Sequence, residues 1–330
     1  MFLNLVFFFF ITLISLCSFI GYGILTNDLL FKEKYNKNIF NYFFISLIFF
    51  IPFSVVYYLI LGYYQIINLL IILFGFYLYI KKIKFTESKF LFSLTFVFFT
   101  ALLISKSHED FTVYHFQHIL ELGDKSIKLG LANLDTRYFY ASAYAYVQSL
   151  FNLPYFNYNL VNVPSYLILL SIIGYLFKEI QFERNIFINI FFLLLIIFKF
   201  KRFSEFGYDY ISQFILIYLF LEFIYGNKVR NFISNIKLIL IFFSSLLIKI
   251  TNIYFIPIIL LNFIYFRKKE LKKLFNLKSL IFPIIFLILS FTTNSFLKTG
   301  CFNYLIKETC LSQNKNIWVF NYDEIESSKK

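Results

Sequence analysis

Two adjacent acids, Glu109 and Asp110, followed at helical spacing by Tyr114, His115 and His118, give this sequence its clearest set of side chains for moving a proton. They lie in one polar stretch, Lys106–Arg137, which holds all three histidines (His108, His115, His118) together with Asp124, Asp135 and Arg137. Asp110, Tyr114 and His118 stand at i, i+4 and i+8, on one helix face, and Phe111, His115 and Ile119 follow on the next row. A carboxylate where a helix leaves a bilayer could act on a membrane-borne substrate. Acids near a helix N-terminus are also favoured by the helix dipole alone, and spacing does not separate the two readings. His115 and His118, with Glu109 or Asp110 nearby, could hold a divalent metal such as zinc. However, a His-x-x-His pattern without a third well-spaced ligand is weak, and no HExxH occurs. No cofactor is assigned.

Further along the same stretch, Gly123-Asp124 and Gly130 punctuate a turn, and Asn133, Asp135 and Arg137 form a second polar group. A guanidinium presents parallel donors that match phosphate oxygens, so Arg137 is a candidate phosphate clamp; pairing with Asp135 or snorkelling explains it equally well. Lys201 and Arg202 precede Asp209, which opens a later apolar run, and Lys249 interrupts another. These cations suggest contact with an anionic lipid phosphate, a misplaced span boundary, or, for Lys249, a functional charge in the membrane.

What positions these residues is a membrane-embedded chain. The 330 residues are 60% hydrophobic, include 51 Phe and 26 Tyr, and have a mean hydropathy of +0.73, far too apolar for a soluble domain. Apolar stretches at 2–26, 40–61, 65–80, 90–105, 158–177, 185–199, 208–225, 236–250, 252–266 and 279–296 predict an all-α, polytopic transmembrane helical bundle of about ten spans. Residues 1–330 read as a single membrane domain, with no Walker loop, dinucleotide fingerprint or internal duplication. The N-terminus lacks a basic n-region and a small-x-small site, so it is read as an uncleaved first span. Residues 138–153 are left open between a dip and a full span, whereas 236–266 is read as two short helices.

The net charge of +13 falls mostly in short loops, which fits orientation rather than nucleic-acid binding. With an outer N-terminus, the positive-inside rule puts 106–157, a large loop with short interfacial helices, and the tail 297–330 on the non-cytoplasmic face. Cys301 and Cys310, nine positions apart in that tail, are spaced to close a disulfide in an oxidising compartment, and Cys17 reads as a buried thiol.

The pattern Asp110-x-x-x-Tyr114-His115, then Gly130-Leu131-x-Asn133-Leu134-x-x-Arg137, resembles a family of bacterial membrane proteins similar to the GT-C superfamily of glycosyltransferases. Asp209 opening a helix, Lys249-x-Thr251 before Pro257, and a tail with Thr299-Gly300-Cys301, Tyr304, Thr309-Cys310 and Trp318 extend the likeness over roughly 105–320. It departs at Asp135, where a histidine is expected, and at Leu305, where a proline is. The resemblance implies a multi-pass enzyme of the bacterial inner membrane, active on its extracytoplasmic face. It would take a sugar from a polyprenyl-phosphate donor and pass it to a glycan or lipid acceptor. Asp110, or less so Glu109, would be the general base; Arg137, Lys201 and Arg202 would contact donor phosphate, and His115 would position acceptor or phosphate. The rival readings are a transporter or flippase for a lipid-linked glycan and a non-catalytic assembly subunit. Oligomeric state is not readable from the sequence.

Overall fold

The computed structural model describes residues 2–32, 38–103, 111–123, 127–140, 142–199, 208–226, 232–264, 278–304, 306–311 and 318–319. Among them all regular structure is helical, apart from two isolated antiparallel bridges, Leu153 with Asn157 and Cys301 with Cys310. The long helices are α1 (Phe2–Thr26), α2 (Phe40–Leu61), α3 (Gln65–Lys82) and α4 (Phe85–Leu103). Two short ones follow, α5 (Phe116–Gly123) and α6 (Tyr144–Ser149). The chain then runs through α7 (Val163–Gln181), α8 (Ile186–Lys199), α9 (Tyr208–Gly226), α10 (Phe232–Ile248), α11 (Ile256–Ile264) and α12 (Lys278–Thr299). Every apolar stretch predicted to span is thus occupied by helix. Among the described residues, five helical segments are both long and apolar enough to cross a membrane, Asn4–Phe31, Phe40–Leu61, Gln65–Lys82, Tyr158–Gln181 and Ile281–Thr299. The protein is a membrane-embedded helical protein.

Helices suit this sequence because, in hydrocarbon, each backbone N–H and C=O must find its partner within the segment. A helix apolar on all sides can then turn one flank to protein and the other to lipid. The degree of enclosure orders them: the span ending at Gln181 is 89% buried and lies at the centre, whereas Gln65–Lys82 is 22% buried and lies at the edge. Small residues set the closest approaches, as expected where no water drives association. A Cβ on Gly21 of α1 would lie 2.0 Å from the carbonyl oxygen of Gly75 in α3, and one on Gly23 would lie 1.7 Å from that of Tyr42 in α2. Aromatic rings fill the centre; Phe44 stacks on Tyr218 at 3.8 Å and Phe19 on Phe50 at 4.0 Å.

Residues 138–153, left open by the sequence, hold the end of the 3₁₀ turn Thr136–Tyr140 and then α6, which is six residues long, or about 9 Å of helix, too short to cross. Its residues are all buried against the ends of neighbouring helices. Residues 236–266 form two helices, α10 and α11, separated by the 3₁₀ segment Ile250–Phe255.

Contacts between helices separate two ends of the bundle. At one end Lys82 meets Asp28 at 3.3 Å, Lys178 meets Glu87 at 3.1 Å, and Glu179 receives Arg184 at 3.3 Å and the amide of Asn38 at 2.8 Å. At the other, the backbone N–H of Ala143 donates to Leu247 (2.8 Å), that of Gly130 to Leu297 (2.7 Å), and Gln65 donates to Asn152 (2.9 Å). This second end carries the long polar loop and the tail.

Candidate functional site

The loop returns into the bundle through a wide helical turn, Phe111–His115, which leads directly into α5. The turn brings His115 and His118 to the inner side, 8% and 6% exposed. Burial holds His118 there because Ile119 and Leu122 of the same short helix enter the core beside it.

Around this turn the structure draws most of the described candidate residues into one strip. Arg137 closes on Asp135, with Nη2 3.1 Å from Oδ2 and a backbone N–H donating to Oδ1 at 2.8 Å. Its guanidinium also sits 4.6 Å above the ring of Tyr114, a cation–π contact. Tyr114 lies 3.9 Å from His115, and His115 meets the ring of Tyr208 edge-on at 4.8 Å. Tyr208 begins α9 next to Asp209, whose carboxylate is 2.6 Å from the ammonium of Lys249 at the end of α10. Residues from four separate parts of the chain thus meet along one edge of this end. Asp110 and Glu109, which precede the turn, lie outside the described residues, as do Lys201 and Arg202.

Asn133 and the two tail cysteines are placed elsewhere. Asn133 donates its amide to the carbonyl of Trp318 at 2.7 Å, so it ties the loop to the tail. Gly130, at φ +73°, makes the bend that permits this; a Cβ there would be strained and would meet the same carbonyl at 2.5 Å. Cys301 and Cys310 are joined by a disulfide bond, and Cys17 is a buried free thiol. Among the described residues no group of three or more His, Cys, Asp or Glu side chains is placed to hold a metal ion.

Beneath the strip lies a group that sequence reasoning missed. Lys298, in the last turn of α12, is 0% exposed; its Nζ donates to the carbonyl of Ser142 at 3.3 Å and stands 5.2 Å from the ring of Tyr146 in α6. Among the described residues no carboxylate is within ion-pair distance of it. The ring of His118 approaches Tyr146 at 6.3 Å and Tyr138 at 4.9 Å. Its Nε2 and the hydroxyl of Tyr146 are buried without a hydrogen-bond partner. Burial holds the His118 imidazole well below its ordinary range, with the positive charges of Lys298 and His115 adding to the effect. The Tyr138 hydroxyl is pushed up to about 12, chiefly by burial and then by Asp135. The available signal was the run Thr292-Thr293-Asn294-Ser295 with Lys298-Thr299, a polar patch across the end of the predicted span 279–296, whose Asn294, Ser295 and Thr299 are likewise buried.

No curated protein and no solved structure matches the chain. One family model does, over residues 4–308, nearly the whole length. The chain therefore belongs to the family described as Domain of unknown function (DUF8201).

Proposed function

We propose that this protein is a glycosyltransferase of the bacterial inner membrane, of GT-C type with ten traversals. It moves a sugar from a polyprenyl-phosphate donor to a glycan or lipid acceptor on the extracytoplasmic face. The observation that carries this reading is the continuous strip from Asp135 and Arg137 through Tyr114, His115 and Tyr208 to Asp209 and Lys249. Such a strip, with cations, a base and aromatic faces at the end of a helical bundle, suits an anionic lipid headgroup bearing a sugar. The sugar itself has hydroxyls for the carboxylates and imidazole, and ring faces to lie on tyrosine. Asp110 directly precedes Phe111 in the sequence and is assigned as general base, taking the acceptor's hydroxyl proton as the sugar leaves phosphate. Sidedness follows from Lys81, Lys82, Lys84, Lys89, Lys178 and Arg184, which gather at the opposite end and make it cytoplasmic by the positive-inside rule.

The test uses purified full-length protein, radiolabelled polyprenyl-phosphate sugars and membrane extract as acceptor. Wild type should transfer label and Asp110→Asn should not, while Arg137→Ala should weaken donor binding about tenfold, the scale of one charge-assisted contact. Absence of transfer by wild type with every donor, alongside donor binding that Arg137→Ala weakens, would favour the transport or assembly readings instead.

A further inference from the structure

We infer that Lys298, His118 and Tyr146 form an internal receptor for a phosphate oxyanion, a site distinct from the surface strip above it. The inference rests on the proposed lipid-phosphate substrate for the source of that anion, but its geometry stands alone. Lys298 has three donors, of which the carbonyl of Ser142 uses one. Among the described residues the hydroxyl of Tyr146 and Nε2 of His118 have no hydrogen-bond partner, and both rings belong to residues under a tenth exposed. Buried polar groups are nearly always satisfied, so two unpartnered ones and a lysine with donors to spare, gathered around a single aromatic ring, point to a bound partner.

The missing partner is an acceptor, and it is negative. Among the described residues Lys298 brings a buried amine met by a carbonyl dipole and the Tyr146 ring, and three carboxylates of this end are already committed: Asp135 to Arg137, Glu121 to Lys128, and Asp209 to Lys249. A lysine at the end of a span ordinarily snorkels outward; here it turns in. Phosphate supplies several acceptor oxygens at once, which suits a lysine amine, a phenol and an imidazole N–H better than one carboxylate oxygen or a water does. Tyr138 lies against His118 and follows Arg137 directly, so the 3₁₀ turn Thr136–Tyr140 joins the surface cation to the buried ones. It is the element an entering headgroup would displace.

The experiment measures binding of farnesyl phosphate, farnesol and inorganic phosphate to the purified full chain, with thermal unfolding recorded beside it. Farnesyl phosphate should bind wild type, and Lys298→Met and His118→Gln should each weaken it at least tenfold without lowering the melting temperature of the unliganded protein. Protection of wild type but not of Lys298→Met by inorganic phosphate alone would keep the site and identify its ligand as the free anion. Binding by Lys298→Met within twofold of wild type, or farnesol binding as well as its phosphate, would overturn the site. If Lys298→Met fails to fold, Lys298→Gln carries the same comparison. The two proposals fail separately: sugar transfer undiminished in Lys298→Met removes the receptor and leaves the transferase. Lysine-dependent farnesyl phosphate binding with no transfer by wild type removes the transferase and leaves the receptor.

Discussion

The two ends of this bundle treat buried charge in opposite ways. At the end carrying Lys82, Lys178 and Arg184, the buried carboxylate of Glu179 has a 1% exposed side chain and is met by Arg184 and by the amide of Asn38. At the other end Lys298 is just as deeply buried and, among the described residues, meets a backbone carbonyl and an aromatic face but no carboxylate. A charge taken out of water is costly unless paired and hydrogen-bonded. The first arrangement is what a chain does to fold; the second leaves a deficit that only something outside the described chain makes good. Arg184 and Lys298, both basic and both at the end of a helical span, therefore teach that position does not separate structural from binding cations, whereas the state of the partner does.

That contrast is broken most strongly at the paired end. Arg184→Ala strands the Glu179 carboxylate with Asn38 alone; because Arg184 is itself 59% exposed, the loss is set below that of a fully buried pair, at about 2 kcal/mol. Lys298→Met should move the other way, stabilising the unliganded protein by about 1 kcal/mol, since an apolar side chain of similar length replaces an uncompensated polar one. Denaturant unfolding in detergent reads both. If the two substitutions shift stability in the same direction by similar amounts, the two ends do not differ in the way their partners suggest.

A smaller and more selective effect is expected from pH. His118 is faced by Lys298 of α12, Tyr146 of α6, Tyr138 of the 3₁₀ turn and His115 of the helical turn that precedes α5. Its folded-state affinity for protons is held below that of the unfolded chain, so in acid the unfolded state binds more protons and is favoured. Stability is therefore whole above the ordinary histidine range, about 6.5, and is lost as pH falls from there toward the depressed folded value. His118→Gln should flatten this loss. Bound farnesyl phosphate should reduce it as well, because an anion beside the imidazole favours the protonated form. A stability profile below neutral pH that is identical in wild type and His118→Gln would show that the imidazole is not held neutral by its surroundings.

How far the sequence discloses this differs by residue. Positions of the long helices were legible, because apolar runs of span length have only one way to satisfy their backbone in lipid, whereas 138–153, with the short α6, was not. The meeting of Arg137, Tyr114, His115, Asp209 and Lys249 was legible as a set of candidates but not as a strip, since their proximity depends on how α5, α9 and α10 pack. Asn133 shows the limit: as a polar side chain in a short motif it read as a ligand, and the structure gives it to the Trp318 carbonyl. Lys298 was hidden for the opposite reason. A lysine just before Thr299-Gly300 looks like any span end, and only tertiary burial against Tyr146 distinguishes it.

The smallest effect concerns the ion pair of Asp209 and Lys249, which belongs to the same end as Lys298 but sits nearer its surface, with side chains 54% and 29% exposed. If that exposure is to water, Asp209→Asn should alter stability by under about 0.5 kcal/mol, and added salt should erase even that. If it is to lipid, the pair sits in a medium where neither charge is solvated, and removing one partner should cost several times more and resist salt. The 3₁₀ turn Ile250–Phe255 that follows Lys249 would then lie within the hydrocarbon, so α10 and α11 would be a hairpin that stops short of the surface. A salt-insensitive loss above about 2 kcal/mol would move the boundary of the membrane outward past Lys249, and would leave Arg137 as the outermost cation of the strip.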